Sequence, residues 1–228
     1  RLWSHAFQGP GGWYIENSLT TVGQKDPVSE ENTRLWNTGL DSDKEIARKR
    51  KRKLSYYSNV MVVSDPKHPE NEGKVMLFKF GKKIFDKITE AMQPAFEDEV
   101  AINPFDFWKG ANFKLKIRKV DGFWNYDKSE FDSVTQVAES DDEIKAIWTK
   151  QHKLQPFLAP DAFKSYDELT EKLNRVISGN AKAAETVEQT SLPEATESAP
   201  VPTQSATPMA SDTNEDDSLD YFSKLAQE

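Results

Sequence analysis

Apolar positions in the first 130 residues come in short β-branched or alternating runs, cut by Gly, Pro, Asn and Asp. Residues 1–23 read as β-structure: Trp13-Tyr14-Ile15 follows the turn signal Gly9-Pro10-Gly11-Gly12, and Leu19–Val22 is β-branched. Residues 24–47 are polar and loop-like, with Pro27 and a short helix around 30–36. A strand over 54–63 stops at Asp65-Pro66, and a turn-rich insert over 65–73 leads to a returning strand over 74–80. The pattern predicts a hairpin over 54–80 with a long tip. Ile84, Phe85, Ile88 and Met92 then share one face of a helix over 82–92, stopped by Pro94. In 111–120, Phe113, Leu115 and Ile117 alternate with Lys114, Lys116 and Arg118, which gives one strand an apolar face and a cationic face. Helices are predicted over 141–154, from Ile144, Ile147 and Trp148, and over 165–178, where Ser165 and Glu168 have capping-box spacing and Gly179 is the stop. Past Asn180 the chain is Ala, Thr, Ser, Glu, Pro and Gln, a composition that buries no core and predicts a disordered tail over 181–228.

Charge changes this picture because it is unevenly placed. The formal net charge is −8, yet 1–180 holds 28 basic and 28 acidic residues, whereas 181–228 holds 2 and 10. Residues 48–119 hold 17 basic against 9 acidic residues. A basic middle and an acidic tail attract each other. The absence of cysteine excludes disulfides and thiolate metal sites. No apolar run approaches a membrane span, and the start has no signal-peptide pattern and no methionine, which predicts a soluble, intracellular protein with an incomplete N-terminus.

The candidate chemistry is recognition of a nucleic-acid strand. Six consecutive cations, Arg48, Lys49, Arg50, Lys51, Arg52 and Lys53, lead into Tyr56 and Tyr57, and the cationic face of 111–120 leads into Phe123, Trp124 and Tyr126. Phosphates attract the charges and unpaired bases stack on the rings. Gly81-Lys82-Lys83 lacks the first glycine and the Ser/Thr of a phosphate loop, so Lys82 and Lys83 face phosphates or solvent. His5, His68 and His152 have no ligand or triad spacing, and Asp141-Asp142-Glu143 reads as a helix N-terminus rather than a nuclease centre. No catalytic constellation emerges. In the tail, Asp216 and Asp217 precede Leu219, Phe222 and Leu225, an acidic segment with helical spacing suited to docking on a partner. A stacking groove does not by itself exclude RNA, so an RNA-binding regulator is the alternative.

Six ordered motifs carry a resemblance: G-G-W-Y-I-E at 11–16, K-R-K-L-S-Y-Y at 51–57, D-P-x-x-P-E-N-E-G-K-V at 65–75, F-G-K-K-I-F-D-K-I at 80–88, W-x-G-A-N-F-x-L-K at 108–116 and G-F-x-N-Y-D at 122–127. Together they resemble the single-stranded DNA-binding, helix-destabilising replication proteins of T4-like bacteriophages. The resemblance implies an α+β, mainly β protein: an OB-fold, a five-stranded Greek-key barrel, over 48–180, with a small N-terminal subdomain over 1–47, flanking helices and a disordered acidic tail. It implies a non-enzymatic protein of DNA replication, recombination and repair, acting in the host bacterial cytoplasm. By motif, Tyr56, Tyr57, Phe78, Phe123 and Tyr126 fall on the family's cleft aromatics. Lys51, Arg52 and Lys53 fall on a basic motif tied to self-association, although Leu54 replaces its threonine. Lys79, Lys82, Lys114, Lys116 and Arg118 complete the expected phosphate contacts, and polymerase, helicase loader and primase are the expected partners of the tail.

Two departures stand out. His5 falls on the family's zinc histidine, but Ser18, Val28 and Glu31 stand near its three cysteines, so no zinc is expected and 13–36 is expected to hold by packing through Trp13, Leu35 and Trp36. The family's N-terminal arm is missing, so self-association along DNA is expected to be weakened.

Overall fold

The structure, a computed structural model, describes residues 1–179. Calls on 181–228, including the disordered tail and Asp216, Asp217, Leu219, Phe222 and Leu225, lie outside the described residues. The largest sheet is antiparallel, with strand order β2-β1-β3-β4, formed by β1 (Leu2–Gly9), β2 (Gly12–Asn17), β3 (Lys53–Met61) and β4 (Val75–Phe80). β3 is shared along its length: its first residues pair with Leu2, Trp3 and Ser4, and Tyr56 onward pairs with β4. Two smaller antiparallel pairs follow, β5 (Ala111–Lys114) with β8 (Glu130–Val134), and β6 (Arg118–Val120) with β7 (Phe123–Asn125). Among the described residues these strands do not form a five-stranded Greek-key closure.

Five helices flank the strands. α1 (Pro27–Asn37) and α2 (Asp41–Lys49) pack on each other through Leu35, Ala47 and half-buried Trp36. α3 (Lys82–Met92) follows β4, α4 (Asp141–Thr149) follows β8, and α5 (Tyr166–Ser178) closes the described chain. α5 lays Leu169, Leu173 and Val176 against Phe7 and Tyr14 of the first hairpin, together with Leu19 and Val28. Its end sits so close to the β1–β2 turn that a Cβ on Gly11 would lie 2.0 Å from the Arg175 carbonyl oxygen. The Gly11 amide donates instead to the Val176 carbonyl at 2.8 Å. That close approach requires glycine. No helix among the described residues is long and apolar enough to cross a membrane.

Several sequence expectations are corrected here. Leu19–Val22 is a 3-10 turn rather than a strand. The short helix expected around 30–36 is present but longer, as α1, and the rest of the loop-like stretch expected over 24–47 supplies most of α2; Asp26 caps α1 through the Ser29 amide, with Pro27 at its first position. In the basic run, Arg48 and Lys49 are the last turn of α2, where cations suit the helix dipole, Arg50 caps it, Lys51 and Arg52 form the link and Lys53 opens β3. The strand expected over 111–120 breaks at 115–117, because the buried Ser129 hydroxyl accepts from the Lys116 amide and donates to its carbonyl. Leu115 and Ile117 are exposed as a result, so the apolar face does not extend past Phe113. The helix expected over 141–154 ends at Thr149, followed by 3-10 turns at Gln155–Leu158 and Pro160–Ala162.

Candidate nucleic-acid interface

The period of two along β3 puts Tyr56 and Tyr57 on opposite faces of the sheet. Tyr56 is only 8 % exposed and stacks on Phe85 at 4.0 Å and on Phe80 at 5.6 Å. It is a core ring of the β3–β4–α3 cluster, with Ile84 beside it, and presents no open face to a base. Tyr57 lies on the other face, half-buried, stacked on Phe157 at 4.9 Å with the Lys79 ammonium 5.8 Å from its ring centre. The segment carrying Phe157 is fastened across that face by a two-way pairing, in which the Asn59 side chain donates to the His152 carbonyl and accepts from its amide. A single strand cannot lie against both tyrosines at once.

The remaining aromatics converge on the Tyr56 side. Phe78 and Tyr126 are half-buried at the edge of the β3–β4–α3 cluster, and Phe123 is 57 % exposed on the β6–β7 hairpin. Lys83, on the first turn of α3, reaches the Asn125 side-chain oxygen at 3.5 Å, which brings that hairpin to the start of the helix. Gly81 caps α3 without a side chain, and its first turn carries Lys82 and Lys83 and no acid. A helix N-terminus with that chemistry favours an anion. Lys82 also pairs with Asp86 at 3.3 Å. Sequence reasoning assigned no firm role to Lys83; its signal is the lysine pair directly after a strand and a glycine.

The other expected phosphate contacts are differently placed. Lys114 ends β5, Lys116 lies in the break and Arg118 opens β6, and each meets a carboxylate: Asp132 at 2.8 Å, Glu130 at 2.6 Å and Asp127 at 2.5 Å. Those cations hold all three carboxyls below their ordinary range. The pairs are exposed, and such pairs contribute little to folding, so a polyanion can exchange for the carboxylates at small cost. In the basic run, every second cation lies over an aromatic ring: Arg48 over Trp36 at 5.4 Å, Arg50 over Phe7 at 5.5 Å and Arg52 over Trp3 at 4.4 Å. Arg48 also pairs with Glu45. Burial pushes Arg50 and Lys53 down from their ordinary values. Arg50 is thereby a wall of the N-terminal core, while Lys49 is exposed and Lys51 and Lys53 are half-buried.

The region around His5 is built on polar contacts. His5 and Asp26 are each 1 % exposed, and His5 Nε2 lies 3.1 Å from Asp26 Oδ1, an ion-pair contact off the hydrogen-bond axis. His5 Nδ1 donates to the Arg50 carbonyl at 2.9 Å, which holds the ring with its Nε2 edge toward Asp26. Asp26 also accepts from the Ser18 hydroxyl and the amides of Leu19 and Ser29. Burial pushes its carboxyl up, but His5, the Ser29 amide and the Ser18 hydroxyl outweigh burial and hold it at about 2. These residues do not fit a tetrahedral zinc site: Ser18 serves Asp26, Val28 is apolar and fully buried, and Glu31 is taken by Arg34 at 2.7 Å. Packing expected through Trp13 does not occur, as that side chain is half exposed; Leu35 is buried and Trp36 half-buried.

Set against known proteins, residues 1–177 match the family model described as gp32 DNA binding protein like. The chain belongs to that family. It is 41 % identical over 185 residues to the single-stranded DNA-binding protein of Enterobacteria phage T2, covering 77 % of this chain and 59 % of the relative. For the single-stranded DNA-binding protein of Enterobacteria phage T4 the identity is 40 %, covering 77 % of this chain and 60 % of the relative. The chain thus spans about three-fifths of the length of these two family members.

Proposed function

We propose that this chain binds single-stranded DNA without reading its sequence, and has no enzymatic activity. The observation that carries this reading is the placing of Phe78 and Tyr126 in the β3–β4–α3 cluster, with Phe123 on the hairpin that Lys83 contacts, beside an α3 N-terminus that bears Lys82 and Lys83 and no acid. Rings of that kind stack any base, since every base has a π-face, and the cations hold the backbone. The names of the two phage relatives support the same reading. The curl of the β2-β1-β3-β4 sheet is taken as the wall of an OB-type groove. Duplex DNA is destabilised by mass action, because only the separated strand fits the groove.

In this reading the protein coats single strands during phage replication, recombination and repair in the host cytoplasm. The acidic 181–228 segment competes with DNA for the basic surface and, through Asp216, Asp217, Leu219, Phe222 and Leu225, recruits polymerase, helicase loader or primase. The His5–Asp26 pair does the work of the family's zinc, so the protein functions without metal. Titration with equal-length DNA and RNA single strands tests the assignment: preference for DNA supports it, and equal or tighter RNA binding overturns the DNA assignment. Deleting 181–228 is expected to tighten DNA binding at low salt, by a margin that shrinks as salt rises. Unchanged affinity on a gel-shift titration would sink the competition.

A further inference from the structure

The β6–β7 hairpin has two working faces. Its connection is Asp121-Gly122, with φ of 51° and 85°, the two positive values of a tight two-residue turn that fixes register. Pairing places Val120 opposite Phe123 and Arg118 opposite Asn125, so Phe123 and Asn125 share the face that Lys83 of α3 contacts. Lys119 pairs with Trp124, and both therefore project from the opposite face. Trp124 is 53 % exposed, and the Lys119 ammonium lies 5.1 Å from the centre of its ring. The indole thereby lies under a cation while more than half of the residue stays open to solvent, area that a flat partner can cover. An exposed tryptophan held under a lysine on a short, register-locked hairpin serves no core.

We propose that Trp124 and Lys119 form a second platform for the single strand, on the back of the hairpin and outside the groove lined by Phe123. The occupant is a DNA base stacked on the indole, with the adjoining phosphate at Lys119. Through the partner strand, 114–132 holds five basic residues against four acids, and Lys119 is not among the three cations that meet Asp132, Glu130 and Asp127. This inference rests on the groove reading above: a strand leaving Phe123 reaches Trp124 by rounding the hairpin tip, which lengthens the stretch of DNA each molecule covers.

The experiment compares oligothymidylates of about 6 nucleotides, within the span of one groove, and about 20, which exceed it. Trp124→Ala is expected to bind the short strand as the parent does and to lose about tenfold on the long one. Trp124→Phe is expected to restore most of that loss, and Lys119→Gln to lower the salt slope for the long strand alone by about 0.7. The Asp-Gly turn does not depend on the indole, and circular dichroism of each variant confirms folding. Equal affinity of parent and Trp124→Ala at both lengths overturns this inference and leaves the groove standing. An equal loss at both lengths also overturns it, by placing Trp124 inside the groove. A parent protein that binds neither strand overturns the groove reading itself.

Discussion

Replacing Asp26 with alanine is expected to cost about 3–5 kcal/mol of folding stability, the range for breaking a buried ion pair by removing one partner. The reason lies in what the carboxylate holds together. Its two oxygens meet the imidazole of β1, the Ser18 hydroxyl, the Leu19 amide and the first turn of α1, all in a site closed to water. Alanine leaves His5 Nε2 facing no carboxylate and two amide donors without acceptors. Asp26→Asn keeps one acceptor oxygen but turns an amide towards His5, and a smaller loss is expected. Urea unfolding of the three proteins checks the order.

The same carboxylate sets a pH dependence whose sign is fixed. Its value is lowered from an ordinary 3.8 to about 2, so the stability it contributes is present above about pH 4 and is lost as pH falls through about 2. Nearly two pK units correspond to about 2.5 kcal/mol, so parent stability falls across that window by about that much more than Asp26→Asn stability does. A metal chelator is expected to leave the parent's unfolding midpoint unchanged. A midpoint that drops on chelation would mean that a metal, and not Asp26, closes this part of the fold.

The second large effect is on binding. Converting Lys82 and Lys83 together to alanine is expected to reduce the slope of log affinity against log salt by about 1.4, or about 0.7 for each single-strand phosphate released. At 0.1 M salt that change amounts to about a 25-fold loss of affinity. Folding is expected to survive, because the Lys82–Asp86 pair is exposed and such pairs contribute at most about 1 kcal/mol. Affinity lost without a change of slope would remove both lysines from the phosphate contacts.

How much of this was legible in the sequence depends on whether a pattern is local. The 54–80 hairpin, α3 and the capped α5 were readable because their signals lie within a few residues of one another: a β-branched run, a turn, an apolar helical stripe, a Ser-x-x-Glu cap. The middle of α1 was readable over 30–36, but its first turn and all of α2 were not, because they bury few apolar side chains, Val28 and Ala47 among them, and so read as polar loop. The Asp26-Pro27 cap with Glu30 behind it marks the true start of α1. The break in 111–120 had no local signal, because its cause is the Ser129 hydroxyl, thirteen residues on from Lys116. Within the candidate site, residue types were readable but facing was read too loosely. Two adjacent tyrosines on a strand must point apart, and the fold gives one to the core and the other to Phe157. The roles of Asp26 and Arg50 were beyond reach, since both depend on contacts across the first sheet and α1.

Tryptophan and tyrosine fluorescence during titration with a single-stranded oligonucleotide, repeated across a salt series, tests the central claim most directly. The account predicts quenching as bases stack on the rings, reversed by salt with a slope of about −0.7 for each phosphate neutralised. A flat trace at low salt, from the full chain and equally from a chain ending at residue 180, would contradict it.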